Sequence, residues 1–373
     1  MNFDLSDEQR SLQEAARDAL GREDTVAAAR EALEDPSSLP NLWETAAAAG
    51  WTGLLVSEDH GGVGLGPLDA MLVAAECGRR LAPVPFLGHL PATLLAEGDE
   101  LQQLAEGEKR GAYLPTMPPS DLDDAWTVDP QSGLRRSPAP AFADGKVTGR
   151  VHWVPDAAKA DYLIAIAVDG GVPKAVLLET SQPGVKIEPT IAYDSTRPMA
   201  HVELDAAEGK VVSASADDIT LAWSVAQGLI AAESLGAVEE SLERSVQYAM
   251  ERYTFGRQIG SYQAVKHSLV EILRLMENAR SLMYFAGWAG ESAPEQFTLA
   301  AHTFRVGAGE ALDYAARALI SVHGGIGATW EHDAPLFFRR AQLSRRLLGG
   351  TGAAADRVAG ELLAQAGAAP ARG

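Results

Sequence analysis

Between Tyr113 and Val212 the sequence changes texture, and this change limits the folds open to the chain more than any other feature. Prolines, glycines and β-branched residues dominate there, while both flanks carry alanine and leucine at helical spacing. Residues 146–154 alternate apolar and polar like a half-buried strand, and 201–205 alternate again. Residues 162–168 and 174–178 read as short apolar strands. Helical runs on either side of a run of strands imply an α+β multidomain chain. The expected division is an N-terminal helical domain over 1–110, a central β-barrel or sandwich domain over 111–214, and a C-terminal four-helix bundle over 215–373.

The N-terminal flank opens with Ser6-Asp7-Glu8-Gln9, a cap with an acidic first turn. Leu12, Ala15, Ala16 and Ala19 then form one apolar face. Further helices are predicted over 39–49, 68–81 and 91–104, with Ala82-Pro83-Val84-Pro85 as a break. The glycine-rich run 61–66 lacks a Gly-Lys-Ser/Thr ending and a supporting strand, so it reads as a tight turn between helices and not as a phosphate loop. In the C-terminal flank, Leu221, Val225, Leu229, Ala232, Gly236, Leu242 and Val246 mark one helix face. Val265, Leu269, Ile272, Met276, Ala279 and Met283 mark a second. A third helix spans 294–322. The last comprises 335–347 and 351–364, divided by Gly349-Gly350.

A formal net charge of -20 argues against a nucleic-acid partner held through its phosphates. The single cysteine, Cys77, excludes a disulfide within the chain and reads as inert core. The acidic start has no apolar signal core, and no apolar run reads as long enough to span a bilayer. A cytoplasmic location without membrane insertion is the expectation.

The stretch 248–263 lies between the first two long C-terminal helices. Gly256 and Gly260 can stop a helix, and Ser261 can cap the next. The connection carries Arg252, Arg257, the Thr254 hydroxyl and the Phe255 ring. Arginines beside a helix start suit phosphate oxygens. By spacing alone, a solvated corner with a structural Phe is the better reading.

Three blocks decide between these readings. Glu251-Arg252-Tyr253-Thr254-Phe255-Gly256-Arg257 with Tyr262-Gln263 resembles the Glu-Arg-x-x-Phe-Gly…Phe-Gln signature of the acyl-CoA dehydrogenase family. His323-Gly324-Gly325-Ile326-Gly327, Glu331 and Arg339-Arg340 resemble that family's Gly-Gly-x-Gly…Glu…Arg segment. Val56-Ser57-Glu58-Asp59-His60-Gly61-Gly62-Val63-Gly64 is similar to its Pro-Glu-x-x-Gly-Gly-x-Gly turn. The blocks stand in family order across nearly the whole chain.

The resemblance implies FAD-dependent α,β-desaturation of an acyl-CoA thioester, with electrons passed to an electron-transfer flavoprotein or similar acceptor. Such chemistry needs a carboxylate base, a clamp on the flavin ring and a grip on the cofactor's diphosphate. The family's two base placements correspond here to Gly349 and Ala226, neither of which takes a proton; Glu233 is the nearest acid on the same helix, and Asp156 is a second acid to weigh. The usual Thr-Glu-Pro-x-x-Gly-Ser-Asp clamp is unmatched over 114–126, and the family's Trp-Ile-Thr/Ser appears as Trp153-Val154-Pro155. Residues that the family donates to a neighbour's FAD are kept. By resemblance, Arg252 and Thr254 hold diphosphate, Phe255 packs by the cofactor, Gln263 and Ser321 face the adenosine side, and Gly324 and Gly325 admit it closely. Ser321 stands where the family usually has Gln. The pattern implies the base-less chain of an α2β2 hetero-oligomer that completes FAD sites on a catalytic acyl-CoA dehydrogenase subunit. A self-sufficient enzyme with a displaced base and a non-enzymatic scaffold are the alternatives.

Overall fold

The computed structural model describes residues 4–114, 127–128, 136–191 and 193–368. Helix α1 (Asp7–Leu20) starts at the predicted cap, which the structure completes as a capping box: Ser6 Oγ accepts the Gln9 N–H and the Gln9 side chain accepts the Ser6 N–H. Next come α2 (Thr25–Glu31) and α3 (Trp43–Ala48); Pro36 and Pro40 keep the second predicted helix shorter than 39–49. Helix α4 (Pro67–Arg79) follows the glycine turn, in which Gly61 and Gly64 take positive φ. The predicted helix over 91–104 is two helices, α5 (Phe86–Thr93) and α6 (Gly98–Ala105). Pro91 lies inside α5 instead of starting a helix, and Gly98, at φ 63, opens α6.

The strands are β1 (Gly111–Tyr113), β2 (Thr127–Val128), β3 (Arg136–Ser137), β4 (Ala141–Ala143), β5 (Lys146–Pro155), β6 (Tyr162–Asp169), β7 (Val172–Glu179), β8 (Val185–Thr190), β9 (Met199–Glu208) and β10 (Lys210–Val211). All but β2 and β3 belong to one curled sheet in the order β10-β7-β6-β4-β5-β9-β8, with β1 added parallel to β6. The inward faces of β5, β6, β7 and β9 share one apolar cluster that includes Val147, Val151, Leu163, Leu178, Val202 and Leu204.

Helix α7 (Ala216–Glu251) is the axis of the C-terminal bundle. By length and composition it could cross a membrane, contrary to the reading that no run could. That apolar stretch, however, is 94% buried inside the fold, packed mainly on α4 and on two long helices, α8 (Gln263–Ser292) and α9 (Pro294–His323). Two glycines set this approach: a Cβ on Gly78 would meet the Glu233 carbonyl oxygen at 1.9 Å, and one on Gly236 would meet that of Ala75 at 1.8 Å. Helices α10 (Ala334–Ser344) and α11 (Gly350–Ala368) complete the bundle.

Candidate functional site

The stretch that links α7 to α8 differs from its prediction in detail. The helix ends at Glu251, before Gly256, because Arg252 turns to extended backbone. A two-residue hairpin follows, β11 (Tyr253–Thr254) and β12 (Arg257–Gln258), whose tip is Phe255-Gly256 at φ 49 and φ 78. Both tip residues take positive φ, as a type I′ turn requires. Ser261 does not cap α8: its hydroxyl donates to the Gln258 carbonyl, and Tyr262 occupies the N-cap without a side-chain bond. The hairpin is braced by the Ile259 N–H on the Arg252 carbonyl (2.8 Å), by the Tyr262 hydroxyl on the Thr254 carbonyl (3.1 Å), and by the Arg257 guanidinium 4.0 Å from the Tyr262 ring centre.

Phe255 is 97% exposed, and Arg252 and Gln263 are exposed beside it; Thr254 is half-buried. A bulky residue held at positive φ costs on the order of 1 kcal/mol, and within this chain its ring gains no burial in return. The Gly324–Gly325 segment sits at the same end of the bundle, because the His323 ring stacks 4.2 Å from that of Tyr248, one turn before the hairpin. Gly324 has φ 65, and no atom of the chain lies within 4 Å of where a Cβ on Gly324 or Gly325 would stand. Ser321 is exposed on the last turn of α9. The seven predicted cofactor residues therefore lie at the same end of the bundle. His323 and His332, whose rings lie 4.3 Å apart, are held by backbone bonds, and Asp333 pairs with Arg30 and Arg244.

The base positions are built differently. Ala226 is fully buried on α7, and Gly349 lies in the turn between α10 and α11. They converge: the amide of Gln227, next to Ala226, donates to the carbonyl of Leu348, next to Gly349, at 2.9 Å. Leu348, Gly349 and Gly350 run at φ 52, 80 and 76. Arg305 stabilises this turn by donating to the Ser344 and Leu347 carbonyls at the end of α10, where a cation opposes the helix dipole. Burial, and then Arg197, pull the Arg305 guanidinium down to about 10, so it stays charged at neutral pH.

Glu233 is not a free acid. Its carboxylate, 1% exposed, pairs with Arg197 and lies 3.8 Å from Arg340, which also binds Asp194 and the Thr196 hydroxyl. Burial alone would raise Asp194, but Arg340, Thr196 and Arg197 together hold it below its ordinary range. Asp156, half-buried at the end of β5 in a left-handed conformation, accepts the Gly88 N–H of α5 at 2.9 Å. Burial raises its carboxyl to about 7 against the pull of Arg197, Gly88 and Arg340. Residues from all three sequence regions meet in this group. Trp153, the remnant of the Trp-Ile-Thr/Ser pattern, has φ 58 and donates its N–H to His201 Nδ1 at 3.3 Å, while Pro155 continues the ladder opposite Met199. Residues 115–126, most of the unmatched clamp region, lie outside the described residues. Cys77 is fully buried, and burial pushes its thiol well up, as expected of an inert core residue.

Sequence reasoning missed Arg197, Asp194 and Arg305. The available signal was charge inside apolar context: Arg305 follows Ala300-Ala301-His302-Thr303-Phe304 on the buried side of α9.

Comparison with known proteins agrees with this fold. Residues 6–118 match the N-terminal domain of acyl-CoA dehydrogenase and residues 222–363 its C-terminal domain. The chain is 32% identical over 351 residues to acyl-CoA dehydrogenase IpdE2 of Mycolicibacterium smegmatis, covering 92% of this chain and 96% of that protein. Its fold matches a variant of the Tcur3481-Tcur3483 steroid ACAD with a TM-score of 0.84 at 25% identity, over 97% of this chain and 99% of the other. The ChsE4-ChsE5 complex of Mycobacterium tuberculosis shares the fold with a TM-score of 0.84 at 23% identity, each chain fully covered. The chain thus belongs to the acyl-CoA dehydrogenase family, whose oxidoreductase chemistry uses FAD as cofactor.

Proposed function

We propose that this chain is the base-less subunit of a heteromeric acyl-CoA dehydrogenase and completes FAD sites on a catalytic partner in an α2β2 assembly. The observation that carries the reading is Phe255, a large apolar ring held at positive φ on a hairpin tip and 97% exposed. A partner surface that covers the ring offsets the cost of the turn. Two-protein assemblies among the structures of the same fold support it.

The residues present suit one end of the cofactor. Arg252 supplies a charged donor and Thr254 a hydroxyl for the diphosphate; Gln263 and Ser321 face the adenosine side, and the open backbone at Gly324 and Gly325 admits it closely. FAD held there would supply a hydride acceptor for the acyl β carbon, with the α proton going to the partner's carboxylate base. This chain contributes orientation and charge to that cofactor but no base of its own, since Ala226 and Gly349 hold no carboxylate and Glu233 is committed to two arginines. A ring-bearing acyl-CoA is the substrate class we assign to the assembly, in keeping with the steroid ACAD of the same fold, and an electron-transfer flavoprotein or similar acceptor is the electron acceptor we assign to it.

Flavin absorbance per chain tests the reading. We expect little flavin when the chain is purified alone, and about one FAD per pair when it is co-expressed with a family member that carries the glutamate base. About one FAD per chain in isolation, together with desaturase turnover, would show a self-sufficient enzyme instead.

A further inference from the structure

The surface arginines of this acidic chain are mostly answered by carboxylates. Arg79 pairs with Glu239, Glu240 and Glu243, and Arg280 with Glu239 and Glu277. Arg339, midway along α10, and Arg346, just past its end, are among those that are not. Among the described residues, Arg339 donates to the Tyr193 carbonyl at 3.0 Å, and Arg346 only to the main chain and side chain of Gln342. The Arg339 guanidinium lies 5.0 Å from the Tyr193 ring centre and 5.4 Å from that of Trp330, so the three form a ladder. Its outer rings are open: Trp330 is 69% and Tyr193 51% exposed, and Ile191, two residues before Tyr193, is fully exposed. A crevice of about 440 Å³ lies alongside, lined by Tyr193, Phe338, Gln342, Leu343 and Arg346.

Nearby acids do not cancel this charge. Asp194 is bound to Arg340, Asp333 to Arg30 and Arg244, and Asp313 to Arg317 and Arg345. Glu331, beside Trp330, leaves two arginines facing one carboxylate. The face is therefore locally cationic and aromatic on a chain with a net charge of -20. Tryptophan, tyrosine and arginine dominate binding energy at protein interfaces. The exposed Trp330 and Ile191 lie outside the crevice lining, so the apolar surface is more than a small anion covers.

We propose that this face docks a carboxylate-bearing, apolar-tipped segment of the catalytic partner chain. Arg339 and Arg346 receive its carboxylates, and the crevice receives an apolar side chain. The choice of occupant rests on the heteromeric reading; the choice of face rests on the ladder and its uncompensated charge.

The test is sedimentation velocity on the co-expressed pair in roughly 0.05 to 0.5 M NaCl. Complexes carrying Arg339→Glu with Arg346→Glu, or Trp330→Ala, should dissociate at about tenfold higher concentration than the unaltered pair. Arg339→Gln with Arg346→Gln should flatten the salt dependence. Thermal melts of each chain alone verify folding, and the complex that still forms should hold its usual FAD per pair. Arg252→Ala should do the reverse, losing flavin while the complex persists. Unchanged assembly and salt dependence in the charge-reversed, folded variant would overturn the docking face. Self-association of this chain that depends on the same residues would overturn the choice of occupant. Failure of the unaltered chain to form any complex would defeat the heteromeric reading itself, and with it the named occupant.

Discussion

The middle and the C-terminal end of α7 follow opposite rules. Around Ala226 to Gly236 the helix is sealed: Glu233, Arg197, Arg340 and Asp194 answer one another in the dark, and α4 meets the helix backbone to backbone. At its end the chain leaves an exposed phenylalanine at positive φ, an exposed arginine, and glycines with open space where side chains could stand. Stability explains the first region without reference to a ligand. It does not explain the second, which costs the isolated chain without adding burial. On the heteromeric reading proposed above, the contrast separates residues that serve the fold from residues that serve a neighbour.

The sharpest way to break the comparison is Glu233→Ala. Removing one carboxylate leaves two buried guanidinium groups short of a partner, which should cost about 3–5 kcal/mol in denaturant unfolding. A loss below about 1 kcal/mol would mean the pair is not structural and would reopen Glu233 as a base. At the other end, Arg252→Ala should leave the unfolding midpoint in place but weaken FAD binding by the assembly by roughly 1.5–3 kcal/mol, one to two decades. Unaltered flavin retention would favour a scaffold without cofactor contact.

Asp156→Asn probes the junction through pH. The folded carboxyl, near 7, lies above its ordinary value of 3.8, so between those values the folded chain holds a proton that the unfolded chain has released. Stability from this group is therefore greatest at low pH and falls as pH rises through that window. The variant should lose that decline, with melting temperatures at pH 8 and pH 5.5 closer together than in the unaltered chain. An unchanged difference would place the carboxyl at its ordinary value. Phe255→Gly should have a smaller effect, and one of opposite sign in two assays: the isolated chain gains about 0.5–1 kcal/mol as the turn relaxes, while assembly weakens. Smallest in turnover is Gly349→Glu, although a side chain at φ 80 strains that turn by about 1 kcal/mol. It places a carboxyl where the resemblance puts the base, yet we expect no desaturase turnover from the chain alone, because the flavin clamp is not restored with it.

The order of helices, sheet and helices was legible because apolar periods of two and of 3.6 differ over long windows. Strands with clear alternation, such as 146–154, were found nearly to their ends. Boundaries failed where local chemistry outweighed period. Pro91 sits inside α5 although it reads as a helix start, and α7 stops at Arg252 although Gly256 reads as the breaker. That Ala226 and Gly349 carry no carboxyl is read from identity alone, but the fate of Glu233 is not. Its partners Arg197 and Arg340 lie 36 and 107 positions away in sequence, and only folding brings them together. Exposure is equally invisible in sequence: nothing in the identity of Phe255 or Trp330 shows that the ring faces outward.

Asp156 links β5 to the start of α5 and lies among charges from the turn before β9, from α7 and from α10. Its raised affinity for a proton exists only once those pieces have docked. A refolding chain in weak buffer near pH 6 should then take up about one proton from solution. The uptake should coincide with the docking of the β region against the helices and not with the earlier formation of the helices themselves, so an indicator dye could time the closing of the three regions without any label on the protein.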